Sequence, residues 1–146
     1  MIQAYQVSAI AHVIQLAVAP VFLLTGVGAM LGVMANRLAR VIDRARVLEE
    51  RLGGATPERE LRYRGELKIL ERRGALMHRA IGLCTTSALL VCAVIVILFV
   101  GAFLKTDVSA MIGLLFVAAM LALFAGLVMF LAEIRLAIRG MRIGPH

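Results

Sequence analysis

The chain has 146 residues, 62% of them hydrophobic and only 17% charged, yet its formal net charge is +7. A soluble domain is nearer half apolar and carries more charge, so these residues leave too little polar surface to cover a soluble globule. The length excludes a large multidomain enzyme, and 5% aromatic content without Trp argues against a stacking surface for single-stranded nucleic acid.

The charge is segregated along the chain. Residues 1–36 carry no charged side chain, and neither do residues 80–104 or 108–132. Residues 37–79 hold 12 of the 16 basic residues and 7 of the 9 acidic ones. Three uncharged stretches, 13–34, 80–104 and 108–131, exceed the roughly 20 apolar residues that a bilayer core of about 30 Å requires. In lipid every backbone polar group must be paired internally, so these are predicted as helices. Ala17-Val18-Ala19 superficially resembles a leader cleavage site, but no basic residue precedes it and the apolar run continues to Met34. The first stretch is therefore expected to be a span. Fifteen of the 16 basic residues fall between spans 1 and 2 or after span 3. The positive-inside rule then predicts an N-terminus outside and a C-terminus in the cytoplasm.

Helix 1 is predicted to continue beyond the membrane. Leu38, Val41, Ala45, Leu48 and Leu52 repeat at spacings of 3 and 4, an a/d seam. Gly53-Gly54 would end it with a C′ glycine. Thr56, Pro57 and Glu58 suit the N-cap, N1 and first-turn positions of a return helix. Tyr63, Leu67, Leu70, Gly74, Met77 and Ile81 continue the alternation into the second span. The expectation is a cytoplasmic antiparallel helical hairpin over 37–79. Asp43–Arg46, Glu58–Arg62 and Lys68–Glu71 place opposite charges at helical spacing. With acids interleaved among the arginines, the segment is not a nucleic-acid footprint. Anionic lipid headgroups are the nearer partner, with His78 and Arg79 at the membrane entry.

The turn between spans 2 and 3 is short, and Asp107 is placed to cap helix 3. Cys84 and Cys92 lie about 12 Å apart along span 2, too far to bridge, and read as small core residues.

On helix 1, Ser8, His12, Gln15, Phe22, Gly26, Met30, Val33, Arg37, Arg40 and Arg44 share one line at about 100° per residue. The opposite side carries Gly28-x-x-x-Gly32 and Ala35, small residues that allow close helix packing in lipid. Copies arranged around an axis would make Ser8, His12 and Gln15 a polar outer mouth. Phe22, Gly26, Met30 and Val33 would form an apolar constriction, and Arg37, Arg40 and Arg44 basic rings. The plainer reading has the arginines anchoring the inner interface. Glu133, the one acid near a membrane boundary in helix 3, is expected to pair with Arg37, Arg40 or Arg79, as a clamp rather than a proton relay.

Enzyme chemistry finds little support. No His, Cys and carboxylate group has metal-ligand spacing, no Ser, His and Asp set shares one side, and no phosphate-binding glycine loop follows a strand. No cofactor is expected.

The string Asn36-Arg37-Leu38-Ala39-Arg40-Val41-Ile42-Asp43-Arg44-Ala45-Arg46, with Pro20-Val21-Phe22-Leu23-Leu24-Thr25-Gly26-Val27-Gly28-Ala29 before it, resembles a bacterial family of small membrane proteins known only as a domain of unknown function. The resemblance covers most of the chain and implies a bacterial inner-membrane protein, but no activity. The apolar-then-basic stripe is also similar in pattern to the pore helix of the Orai calcium-channel family. Gln15 and His12 stand where that family has an acidic ring, so calcium selectivity is not implied.

The sequence thus predicts an all-α integral membrane protein of three spans that forms a homo-oligomer. The leading functional expectation is a channel or pore-like assembly lined by helix 1, with a basic cytoplasmic vestibule favouring anions. The alternative is a non-transporting scaffold or regulatory subunit whose hairpin binds a cytoplasmic protein or anionic lipid.

Overall fold

The computed structural model describes residues 1–141. It consists of three α-helices: α1 (Ile2–Leu52), α2 (Pro57–Leu104) and α3 (Ser109–Met141). Each is long and apolar enough to cross a membrane. The terminal His146 lies outside the described residues. Helix α1 runs unbroken through Pro20. Helix α3 continues ten residues past Leu131, the expected end of its span. That continuation carries Glu133.

The turn between α1 and α2 departs in one detail from expectation. Among the described residues no glycine has a positive φ, so Gly53 is not a left-handed C′ cap. The Ala55 N–H donates to the Leu52 carbonyl instead, at 3.4 Å. A Cβ would meet only ordinary contact at Gly53 and nothing within 4 Å at Gly54, so the turn as formed does not demand glycine at either position. Beyond the turn the expected start is found. The Thr56 carbonyl accepts from the Glu60 N–H at 2.9 Å. Pro57 opens α2, where its missing N–H costs nothing, and Glu58 and Glu60 sit at the positive end of the helix dipole.

The turn between α2 and α3 is closed by a different device. Lys105 takes the left-handed conformation, φ 52°. The Thr106 N–H donates to the Gly101 carbonyl at 3.4 Å, the six-residue closure of a Schellman motif. Asp107 then caps α3 as predicted, accepting from the Ser109 N–H at 3.1 Å and from the Ser109 hydroxyl. These bonds hold its carboxyl below the usual carboxylate range. Gly101 is required by close approach: a Cβ there would lie 2.5 Å from Val108 Cγ2.

The helices pack in two compact units, Met1–Met30 with Leu83–Phe124, and Leu31–Gly82 with Ala125 onward. The core of the first is built from small and β-branched residues: Ala17, Val27, Cys84, Ser87, Val91, Val94 and Ala119. On α2 the buried positions 84, 87, 91 and 94 repeat at 3, 4 and 3. Small side chains let backbones approach where lipid supplies no hydrophobic drive between helices. Cys84 is buried, but Cys92 is exposed. Eight positions rotate the helix by about 80° past whole turns, so only Cys84 is the core residue expected of both.

The second unit holds the hairpin. Val41, Leu48 and Leu70 form its core, with Ala45, Tyr63 and Leu67 packed against them. Gly74 faces Val41, whose Cγ1 lies at ordinary contact distance, 3.9 Å, from where a Cβ would stand. This is the predicted a/d seam, continued by buried Met34, Met77 and Ala80. The three charge pairs expected along single helices are not among the ion pairs of the described residues. Glu60–Arg64 at 2.6 Å is the same-helix pair that forms. Exposed side chains at such positions gain only about 0.2–0.5 kcal/mol by pairing, so solvation competes evenly.

Candidate functional site

The hairpin reverses about Ala55, so residues at similar distances from it lie at the same level. Arg44 and Glu66 are each 11 positions away and form a cross-hairpin ion pair at 3.7 Å. Arg37 and Arg73 are each 18 positions away, which sets two arginines opposite one another. The acid they share comes from α3. Arg37 Nη2 donates to Glu133 Oε2 at 3.1 Å. Arg73 donates to Oε1 through Nε at 3.0 Å and Nη2 at 2.9 Å. The Glu133 side chain is fully buried (0% exposed), against 36% for Arg37 and 23% for Arg73. The Arg37 guanidinium also lies 5.5 Å from the centre of the Phe130 ring, one turn before Glu133. That contact adds a cation–π attraction of about 0.5–2 kcal/mol.

Three helices therefore meet on one carboxylate. A buried carboxylate is tolerated only when paired and hydrogen-bonded, and Glu133 accepts three charge-assisted bonds. Two cations against one anion leave a local excess of one positive charge.

The expected partner of Glu133 is thereby corrected. Arg37 was one of the candidates and is a partner; Arg79 is exposed and is not. Arg79 stands six positions after Arg73, about 240° further round α2, which turns it away from α3. Arg73 was missed because spacing along α2 alone does not single it out. The equal distances of Arg37 and Arg73 from the turn were the available signal.

The remaining α1 positions divide by exposure. Gln15, Phe22, Gly26, Val33, Arg40 and Arg44 are exposed, and Met30 is half-buried. Of the proposed basic ring, Arg37 is engaged within the chain and Arg44 pairs with Glu66. Gly28, Gly32 and Ala35 are exposed too, and among the described residues no atom of another helix comes within 4 Å of a Cβ built on either glycine. Among the described residues this small-residue face is left uncovered. Among the described residues no cluster of His, Cys, Asp and Glu could hold a metal ion.

These features define a class: an all-helical chain with three helices able to span a membrane and an arginine–glutamate–arginine clamp joining them. The chain belongs to the family described as protein of unknown function (DUF2721), whose model matches residues 17–143. Both stretches that carried the sequence resemblance lie inside that match. No curated protein and no solved structure matches the chain.

Proposed function

We propose that the protein is a non-transporting membrane scaffold that holds a stiff helical hairpin at the cytoplasmic membrane surface for a protein partner. The observation that carries this reading is the Glu133 clamp. It ties α1, α2 and α3 together at the base of the hairpin and withdraws Arg37 from the line that would have formed a vestibule. Ile42, Val47, Leu61 and Ile69 are exposed on the hairpin and supply apolar docking surface.

The test uses full-length protein in liposomes. Spin labels at Arg46→Cys and Arg62→Cys, in a Cys84→Ala/Cys92→Ala background, should report one narrow distance across the hairpin. Ion and solute flux should equal that of empty liposomes. A broad distance distribution, or flux rising with protein content, would overturn the reading.

A pore lined by α1 is the second reading. It is favoured by the exposure of Gln15, Phe22, Gly26 and Val33 along one line of the helix, interrupted only by half-buried Met30. It requires flux in the same liposomes, and Gly26→Leu should abolish that flux by closing the constriction.

A further inference from the structure

The clamp is electrically incomplete. Glu133 neutralises one guanidinium, and the second remains charged although Arg37 and Arg73 are only 36% and 23% exposed. A partly desolvated cation without a counter-charge is costly, and an anion in reach relieves that cost. The donors for one are present. Arg37 commits a single terminal nitrogen, and Arg73 commits Nε and one terminal nitrogen. Each guanidinium thus keeps its Nη1 donors unspent among the described residues. A planar fork of this kind matches the oxygen spacing of a phosphate.

The surroundings reinforce the sign. Residues 37–41, 71–79 and 133–135 together carry six arginines against two glutamates, Glu71 and Glu133. All three segments belong to the same compact unit. They adjoin the uncharged stretches of all three helices, the depth at which lipid phosphates would lie.

We infer that Arg37 and Arg73, held by Glu133, form a phosphate-binding site in which a phosphate group completes the clamp. An anionic phospholipid headgroup and a free phosphate share this chemistry. The site stands or falls independently of whether the hairpin docks a protein, because it needs only the clamp geometry.

The experiment measures thermal unfolding of the full-length protein in nanodiscs. One set contains phosphatidylcholine alone and the other one-third phosphatidylglycerol. A third arm adds millimolar inorganic phosphate to the phosphatidylcholine discs. The wild type should melt about 5–10 °C higher in the anionic discs, as expected of a ligand well above its Kd. An Arg37→Lys/Arg73→Lys variant keeps both charges but loses the forks, and should lose most of that increment. Arg139→Gln, an exposed arginine outside the clamp, should keep it. Circular dichroism checks helical content, and Arg37→Lys alone replaces the double variant if that does not fold. Inorganic phosphate reproducing the shift would assign the site to a soluble phosphate; failure to do so beside a positive lipid arm would assign it to a headgroup. No shift in any arm, or equal shifts in wild type and the lysine variants, would overturn the inference. So would an equal loss in Arg139→Gln, since that would reduce the effect to general surface charge.

Discussion

Arg73 places Nε and Nη2 on a single oxygen of Glu133, at 3.0 and 2.9 Å, across 60 positions of sequence. The bond joins α2 to α3 at the level where α2 faces Arg37 of α1. Without the carboxylate, two arginines at equal distance from the hairpin turn would confront each other. Glu133 thus converts a like-charge repulsion between α1 and α2 into an attraction shared by three helices.

Glu133→Gln should therefore destabilise the protein by about 2–4 kcal/mol, somewhat under the usual cost of breaking a buried pair because Arg37 is 36% exposed. In detergent the unfolding midpoint should fall by about 5–15 °C. Adding Arg73→Gln to Glu133→Gln should recover part of the loss by removing one of the two opposed cations. If the double variant is less stable than the single one, the repulsion account fails.

The hairpin seam rests on a few large side chains. Leu48 is 1% exposed, and Leu48→Ala should cost about 2–5 kcal/mol through lost burial and the cavity left behind. Hydrogen exchange should locate the loss, with amides of residues 40–75 exchanging faster and those of the apolar stretches unchanged. A uniform acceleration along the chain would contradict a separately packed hairpin core.

At the α2–α3 turn, Gly101→Ala would place a methyl 2.5 Å from Val108 Cγ2. Overpacking of this kind costs about 1–3 kcal/mol. Val108→Ala in the same chain should relieve it, giving a favourable coupling in a double-mutant cycle. Additive losses would show that the two residues do not touch.

Asp107 supplies a pH dependence with a defined sign. Its hydrogen bonds from Ser109 lower the folded-state pKa below the ordinary carboxylate value. The resulting stabilisation is present above that ordinary value and lost as pH falls through the lowered one, that is, below about pH 4. Asp107→Asn should remove this component, so its melting temperature should change less than the wild type's between pH 5 and pH 3. Parallel curves for the two proteins would assign the acid sensitivity elsewhere.

Much of the architecture was legible because its causes are local. The uncharged stretches mark three helices able to cross a membrane, and the 3 and 4 spacing from Leu38 to Leu52 and from Tyr63 to Met77 marks the packed seam. Asp107 was recognisable as a cap because its acceptor and donor lie two residues apart. Gly53-Gly54 was legible as the end of α1, but the conformation of the turn was not, since a glycine permits the left-handed region without requiring it. Cys92 was misread as core, because hydropathy does not say which side of an apolar helix is covered.

The clamp lay beyond such reasoning. Sequence marked Glu133 as an acid in need of a cation, because a carboxylate beside an apolar stretch cannot stay unpaired. It offered several arginines and could not choose among them. Which one answers depends on the phase of α2 against α1 and on the continuation of α3 past Leu131, both set by packing between helices. Composition and charge order alone determine that this chain forms three membrane-length helices with a basic segment between the first two. Only the tertiary structure decides that Arg37 and Arg73 close on Glu133, because a buried charge takes the partner that folding brings within hydrogen-bonding distance.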